Sequence, residues 1–177
     1  MYDKSRWIYY ANENNTIRYV LGTKGKKTLV CFGINPSTAM PEKLDNTLKS
    51  VKRISENNGY DSWIMLNIYP QRQTNPNFIH HFRDSVSHKL NLKYINQILK
   101  GDNVTIWAAW GNLIDKRDFL SECLIDIYKS SKKHKCKWYS FGNITQKGHP
   151  HHPLYLSKNS TMEEFDIEKY LKHFHNS

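Results

Sequence analysis

Apolar residues in this chain gather in short runs that are separated by longer amphipathic segments. Five runs have the length of β-strands: IRYVL (17–21), TLVCFGI (28–34), WIMLNI (63–68), VTIWAAW (104–110) and KWYSF (137–141). The last four lack strict alternation of apolar and polar positions, which is typical of strands buried on both faces of a sheet. We predict a strand at each run.

The segments between and after these runs carry apolar residues at helical spacing. Four stripes predict four helices: Leu44, Leu48 and Val51; Val86, Leu90, Ile95, Ile98 and Leu99; Leu113, Leu120, Leu124, Ile127 and Tyr128; and Ile167, Tyr170, Leu171 and Phe174. We expect Asn58-Gly59 to end the first helix. Capping-box spacing, from Ser160 to Glu163 or from Thr161 to Glu164, predicts the start of the last one.

Strands that alternate with helices predict an α/β fold. We expect three layers, α/β/α, around a central, mostly parallel sheet of four strands. The chain has no internal repeat and no Pro/Gly-rich linker, so residues 1–177 are predicted to form a single domain. In such folds ligands bind beyond the carboxyl ends of the strands, so the loops that follow the strands are the places to search for function.

Composition narrows the class of partner. The formal net charge is +10 and the isoelectric point is about 9.4. A basic domain often binds a polyanion, of which nucleic acid is the commonest, although a merely soluble basic protein would have the same charge.

No apolar run is long enough to span a membrane, and the start, MYDKSRWIYY, lacks the apolar region of a signal peptide. We therefore expect a cytoplasmic protein without membrane contacts. The three cysteines are far apart and fit no zinc or disulfide framework. We expect neither a metal nor another cofactor.

Two strand exits present asparagines. The run at 28–34 continues into Asn35, with the hydroxyls of Ser37 and Thr38 close behind it, and the run at 63–68 contains Asn67 near its end. An amide both donates and accepts hydrogen bonds, which suits the edge of a nucleobase. The alternatives are a structural Asn-Pro turn at Asn35 and an Asn67 amide that is satisfied by backbone groups.

The remaining exits are Trp110-Gly111-Asn112, for which a structural turn is favoured, and GHPHHPLYL at 148–156. Three histidines in the second loop raise the possibility of a metal site. A catalytic zinc needs about three protein ligands, often including a carboxylate, and this loop has no Asp or Glu near it. Hydrogen bonding to an anion, or to an oxygen that gains charge, suits the loop better.

Short motifs at these exits resemble the uracil-DNA glycosylase superfamily. GINPS (33–37) resembles the water-activating motif G-I-N-P-G, NIYPQRQTNP (67–76) is similar to the segment N-M-V-E-R-T-T-P, and HPLYL (152–156) resembles the motif His-Pro-Ser that precedes a wedge residue. VTIWAAWGN resembles a strand that ends in Trp-Gly in the classical uracil enzymes.

The chain also resembles, over nearly its whole length, a family of uncharacterised bacterial and mobile-element proteins with the signatures R-Y-x-L, N-P-S-T-A and H-P-L-Y. These stand here at Arg18 to Leu21, Asn35 to Ala39 and His152 to Tyr155. This second resemblance names a family and not an activity.

The glycosylase resemblance implies a monofunctional enzyme of base excision. It would hydrolyse the N-glycosidic bond of uracil, or of a related modified or mismatched base, flipped out of single- or double-stranded DNA. Asn35 would position the water, and His152 would donate to the base oxygen as charge develops. Asn67 would read the base edge, with Gly33, Ile34 and Pro36 around the base. The implied DNA contacts are Ser37, Thr38, Arg72, Thr74, Lys147, Gly148, His149, Leu154 and Tyr155.

Several positions depart from the glycosylase pattern. Asn46 to Lys49 contains no aromatic residue where the superfamily has one that stacks on the base, and Ser37 replaces a tyrosine that excludes thymine. A neutral amide at Asn35 is no strong base, so a slow enzyme is expected. His149-Pro150 precedes His152-Pro153 and leaves open which histidine is the motif residue.

Two other functions stay open from the sequence. One is a non-catalytic nucleic-acid or nucleobase-binding module, and the other is a hydrolase of free nucleosides or nucleotides. The sequence does not identify a protein inhibitor or a replication partner.

Overall fold

A computed structural model describes residues 2–101 and 103–175. The strands are β1 (Trp7–Ala11), β2 (Arg18–Thr23), β3 (Thr28–Gly33), β4 (Ser62–Asn67), β5 (Thr105–Ala108), β6 (Lys137–Phe141) and β7 (Met162–Glu164). The α-helices are α1 (Asn46–Asn57), α2 (Ser85–Leu99), α3 (Phe119–Lys133) and α4 (Ile167–His175). Short 3₁₀ helices span Pro76–Phe78, Gly111–Lys116 and Pro153–Tyr155.

The strands form one seven-stranded sheet in the order β1-β2-β4-β3-β5-β6-β7. The β3–β4, β3–β5 and β5–β6 pairs are parallel, whereas β1–β2, β2–β4 and β6–β7 are antiparallel. The predicted α/β class is confirmed. The sheet is mixed and has seven strands, where the sequence led us to expect four strands in a mostly parallel arrangement.

The two edge strands, β1 and β7, were not predicted. Only Trp7 is buried in β1, and no residue is buried in β7. An edge strand needs only one bonded neighbour, so it leaves little apolar signal in the sequence. The capping-box prediction at residues 160–164 is wrong for the same reason: Met162–Glu164 pairs with β6, and α4 begins later, where Asp166 Oδ1 accepts a hydrogen bond from Lys169 N at 2.9 Å.

The core lies on both faces of the sheet. Alternate residues of a strand point to opposite faces, and accordingly Val30 and Phe32 of β3 belong to one buried cluster while Leu29 and Cys31 belong to the other. The first cluster includes apolar residues of α2, α3 and α4, and the second includes those of α1. Helices therefore cover both faces and leave the ends of the strands accessible.

Helix ends agree with the sequence in one place and differ in another. As predicted, α1 ends before Asn58, and Gly59 follows with a φ of +75°. Leu113, predicted to share a helix with Leu120, lies instead in the separate 3₁₀ helix Gly111–Lys116. Across residues 2–101 and 103–175 we find no helix whose length and apolar character would let it cross a bilayer.

Candidate functional site

A cavity of about 990 Å³ opens at the carboxyl ends of β3, β4, β5 and β6. The exits of these strands supply most of its lining: Gly33, Ile34, Asn35 and Ser37; Gln73, Thr74 and Pro76; Trp110, Gly111, Asn112 and Leu113; and Ile144, Thr145, Gln146, His151, His152, Leu154 and Tyr155. Arg18, Asp45, Thr47, Leu48 and Met65 complete it. The size is that of a small-molecule or cofactor site.

The Asn35 side chain ties the β3 exit to the β4 exit. Its Nδ2 lies 2.8 Å from the Gln73 carbonyl oxygen, 3.1 Å from that of Pro36 and 3.3 Å from that of Gln71. The backbone adds a bond from Gln73 N to the Pro36 oxygen at 2.8 Å. The Nδ2 group is therefore used by the protein itself, while Oδ1 has no partner within the described residues.

Asn67, the last residue of β4, is fully buried, and neither its Nδ2 nor its Oδ1 has a partner within residues 2–101 and 103–175. It shares a sheet face with Met65, two positions earlier, which lines the cavity. A Cβ on the opposing Gly33 would lie 3.4 Å from Asn67 Oδ1 and 2.6 Å from Met65 Cε. The glycine therefore keeps the floor of the cavity open beside the unpaired amide.

Gly111 lets the β6 exit loop approach the β5 exit. It has a φ of +62°, its N–H donates to the Pro150 oxygen at 3.0 Å, and a Cβ there would lie 3.1 Å from His152 Cβ. A second hydrogen bond joins the two loops: Thr145 Oγ1 donates to Asn112 Oδ1 at 2.8 Å. The close backbone approach brings His152 to the cavity.

His149 does not line the cavity, and its two ring nitrogens contact residues that are also outside the lining. Its Nδ1 lies 2.7 Å from the Tyr170 hydroxyl and its Nε2 lies 3.1 Å from Asp115 Oδ2. Because Trp110 Nε1 also donates to Tyr170 at 3.0 Å, the tyrosine is assigned as the donor to Nδ1, and the imidazole proton then sits on Nε2 facing the carboxylate. Both ring nitrogens of His149 and the Tyr170 hydroxyl are paired, so this network holds the loop in place.

His151 and His152 both line the cavity, and His152 is the residue of the predicted motif. Burial lowers its pKa to about 4, a shift that the charge of Asp45 partly opposes. The ring is therefore neutral at pH 7. Its Nδ1 accepts a long bond, 3.4 Å, from Leu154 N, which assigns the proton to Nε2. The side chain offers a neutral N–H donor to a ligand.

Among the described residues, Asp45 is the one carboxylate that lines the cavity. It caps α1, since its Oδ1 accepts from Leu48 N at 2.9 Å. Within the described residues its Oδ2 has no partner, so one carboxylate oxygen is free to accept a proton or a hydrogen bond.

Arg18, on β2, lines the same cavity and is 1 % exposed. Its Nη1 donates to the Ala39 oxygen at 3.0 Å, and its Nε is unpaired within the described part of the chain. Burial, and secondarily the charge of Arg72, lower its pKa to about 10, while the charge of Asp45 opposes this shift. The guanidinium therefore stays charged at neutral pH.

Exposed apolar side chains surround the mouth of the cavity. Leu113, Ile144, Leu154 and Tyr155 all line it, and each keeps more than a third of its surface in contact with solvent. Tyr155 is the most exposed, at 78 %. An apolar rim around a polar interior suits a ligand with a flat, partly apolar body and a polar edge.

The structure thus places the predicted residues in two groups. Eight line the cavity: Gly33, Ile34, Asn35, Ser37, Thr74, His152, Leu154 and Tyr155. Those outside its lining are Pro36, Thr38, Asn67, Arg72, Lys147, Gly148 and His149. Arg72 is engaged by Tyr9 and Asn15, and Lys147 is exposed, with its Nζ 3.7 Å from Asp115. In the described residues no cluster of three His, Cys, Asp or Glu could hold a metal ion.

Sequence reasoning assigned no role to Arg18 or Asp45. A charged residue inside the apolar run at 17–21 was a signal for Arg18, since an arginine in a buried strand needs a reason. Asp45 directly precedes the first helix and carried the signal of an N-cap only. Neither pattern shows that the two side chains reach the same cavity.

Comparison with known proteins identifies one family. The family described as "Protein of unknown function (DUF1643)" matches residues 18–154. No curated protein and no solved structure matches the chain. The expected membership of the uracil-DNA glycosylase superfamily is therefore wrong: the matching family is a different one, and the resemblance was limited to short motifs.

Proposed function

Because the chain belongs to the DUF1643 family, whose description names no activity, we propose its function from the cavity itself. The proposed reaction is hydrolysis of the N-glycosidic bond of uracil, or of a related modified or mismatched base, flipped out of DNA. The observation that carries the proposal is the unpaired amide of the fully buried Asn67 beside the open floor at Gly33.

A buried amide without partners costs the folded protein about 1–3 kcal/mol. A ligand that matches the amide offsets this cost. Uracil presents an N–H next to a carbonyl, and the Oδ1 and Nδ2 of Asn67 can pair with both at once. Because Asn67 lies outside the cavity lining, this pairing requires the lining at Gly33 and Met65 to open so that the base reaches the amide.

His152 would stabilise the departing base. As the glycosidic bond lengthens, negative charge grows on the base, and a neutral Nε2–H donor stabilises an oxygen that gains this charge. The lowered pKa of His152 keeps the ring neutral, which makes it a hydrogen-bond donor and not a cation at working pH.

Asp45 and Asn35 would hold the attacking water. Asn35 Oδ1 can orient it, but an amide does not take its proton. The free Oδ2 of Asp45 lines the same cavity and can accept that proton as the water attacks the sugar carbon. This division of roles supplies the base that the amide alone lacks.

DNA binding is supported by the net charge of +10 and by the apolar rim. Leu154 and Tyr155 stand exposed at the mouth on the short helix Pro153–Tyr155. Either side chain could fill the gap that a flipped nucleotide leaves in the base stack, as apolar wedges do in other DNA-binding proteins.

The test is abasic-site formation. Single-stranded and duplex oligonucleotides with one uracil, one mispaired thymine or one modified base are incubated with enzyme in excess and then cleaved with alkali. We expect strand breaks at the target base with at least one substrate, and none with His152→Ala. If no substrate in the panel gives abasic sites, the activity is refuted.

A binding module without chemistry is the second candidate. It is favoured by the Asn35 amide nitrogen, which is committed to three backbone carbonyls, and by the absence of an aromatic residue from Asn46 to Lys49. It predicts DNA binding that weakens steeply with salt and no release of base.

A further inference from the structure

Arg18 lines the cavity, and Asp45, the carboxylate whose charge favours the charged form of Arg18, lies too far away to form an ion pair with it. Arg18 is 1 % exposed, and no Asp or Glu oxygen lies within 4 Å of its guanidinium among the residues described. Buried charges in proteins are normally paired, because an unpaired charge loses hydration without compensation. Arginine cannot avoid this cost by losing its proton near neutral pH.

A second guanidinium adds to the positive potential at this place. Arg18 Nη1 and Arg72 Nη2 both donate to the Ala39 carbonyl oxygen, at 3.0 Å and 3.3 Å. Two cations share one neutral acceptor. Within the described residues the only carboxylate that lines the cavity, Asp45, favours the charge of Arg18 but lies beyond ion-pair distance of both guanidinium groups. The Nε of Arg18 remains free of any described partner.

We propose that Arg18 binds a phosphate group of the ligand inside the cavity. A phosphate offers the oxygens that a guanidinium binds in parallel pairs. The hydroxyls of Ser37 and Thr47 line the same cavity and can donate to further oxygens. The inference rests on the proposed function for its ligand class, a nucleotide, and adds that the phosphate enters the cavity together with the base.

The phosphate could belong to a free mononucleotide or to the backbone of a flipped nucleotide in DNA. The chemistry at Arg18 is the same in both cases. Phosphate contacts on the rim would meet neighbouring nucleotides, whereas a buried guanidinium meets the phosphate attached to the nucleotide that occupies the cavity.

The first arm of the test uses calorimetry with dUMP and deoxyuridine. For the wild type we expect dUMP to bind about tenfold more tightly, the size of one charge-assisted hydrogen-bonding interaction. Arg18→Gln should lose this preference. Arg18→Lys keeps the charge but not the paired N–H donors of the guanidinium. Its preference for dUMP over deoxyuridine should be at least about threefold smaller than that of the wild type. Lys93→Gln removes one exposed charge on α2, outside the cavity lining, and should keep the preference.

The second arm uses a uracil-containing oligonucleotide whose two linkages beside the uracil are either natural or uncharged methylphosphonates. Neutral linkages should weaken wild-type binding about tenfold and leave Arg18→Gln binding unchanged. A preference in the first arm identifies a mononucleotide as the source of the phosphate. A preference in this arm alone identifies the DNA backbone.

The inference is overturned if neither arm shows a phosphate preference in the wild type. It is also overturned if the preference survives in folded Arg18→Gln and Arg18→Lys, with folding checked by circular dichroism. Neither arm depends on turnover. If the wild type prefers the phosphate but forms no abasic sites, only the glycosylase proposal is refuted. If it forms abasic sites without the phosphate preference, only the inference about Arg18 is refuted.

Discussion

Residues whose polar groups brace the strand exits and residues whose polar groups stay unpaired, in or directly behind the cavity lining, use the same side-chain types in opposite ways. The amide nitrogen of Asn35 is bonded to three backbone carbonyls, whereas the amide of Asn67 has no partner in the described chain. His149 is paired at both ring nitrogens, whereas His152 has one long contact, to a backbone N–H. Satisfied polar groups fix the geometry of the strand exits, and the unsatisfied ones at this cavity are available to a ligand.

The arginines repeat the contrast. Arg72 is bonded to Tyr9, Asn15 and Ala39 on the outside of the cavity, while Arg18 lines it with an unpaired Nε. Each unpaired group lowers the stability of the free protein, and binding of the right ligand recovers it. The comparison therefore predicts that substitutions in the two regions separate stability from function.

The largest effect is expected from the histidines. His152→Ala should lower turnover by about 10²–10³-fold, the loss seen when one donor to a developing negative charge is removed. His149→Ala should instead lower the free energy of unfolding by about 1–3 kcal/mol, because the Tyr170 hydroxyl loses its acceptor and Asp115 loses its close hydrogen-bond partner. Single-turnover kinetics and urea unfolding measure the two quantities. Equal effects of both substitutions on turnover would contradict the assignment of a catalytic role to His152 and a structural role to His149.

The asparagines should change stability with opposite signs. Asn67→Leu replaces an unpaired amide by an apolar group of similar shape and should raise the free energy of unfolding by about 1–2 kcal/mol while abolishing ligand binding. Asn35→Leu frees three carbonyl oxygens and should lower it by a similar amount, about 1–2 kcal/mol. Thermal unfolding of both variants is the measurement, and a destabilised Asn67→Leu would mean that the amide is satisfied in the folded protein.

The pKa of His152 predicts a dependence of stability on pH. Its folded-state pKa of about 4 lies below the ordinary value of 6.5, so the unfolded chain binds a proton between these values that the folded chain does not. Stability should therefore fall as the pH drops from 6.5 towards 4, by about 1–2 kcal/mol after allowance for partial exposure of the ring. His152→Gln should remove that part of the slope in urea titrations. An unchanged slope would show that the ring is well hydrated.

The smallest effect is expected at two glycines with positive φ. Gly148→Ala meets no atom within 4 Å and should cost only the backbone strain, about 1 kcal/mol. Gly111→Ala adds a contact at 3.1 Å with His152 Cβ and should cost more, about 2 kcal/mol, and displace the ring from the cavity. Base release should fall in the second variant only. Equal losses of base release in both variants would show that the β6 exit loop shifts to accommodate the Cβ added at residue 111.

The sequence predicted the strands that are buried on both faces of the sheet. The runs that became β3 to β6 were recognisable because such strands are continuously apolar, and their exits met at one edge as parallel strands require. The edge strands β1 and β7 were missed because their side chains are mostly outside the core.

The site was only partly predictable. Arg18 reaches the cavity because β2 pairs with β4, and Asp45 reaches it because α1 begins at its edge; both facts depend on topology and not on local pattern. The superfamily was wrongly assigned because the resemblance rested on short motifs, whereas a different family matches residues 18–154, and Asn35 has a structural task in its own loop. An Asn-Pro turn that braces two strand exits can arise without common ancestry, so short motifs of this kind identify a geometry more reliably than a family.

The most direct measurement is the single-turnover rate of base release from a single-stranded oligonucleotide with one uracil. It compares the wild type with His152→Ala and with Asp45→Asn, which keeps the helix cap but cannot accept the proton of the water. The account predicts measurable release by the wild type and losses of at least about 100-fold in both variants. Release at the wild-type rate by either variant, or no release by a wild type that binds the same DNA, would contradict it.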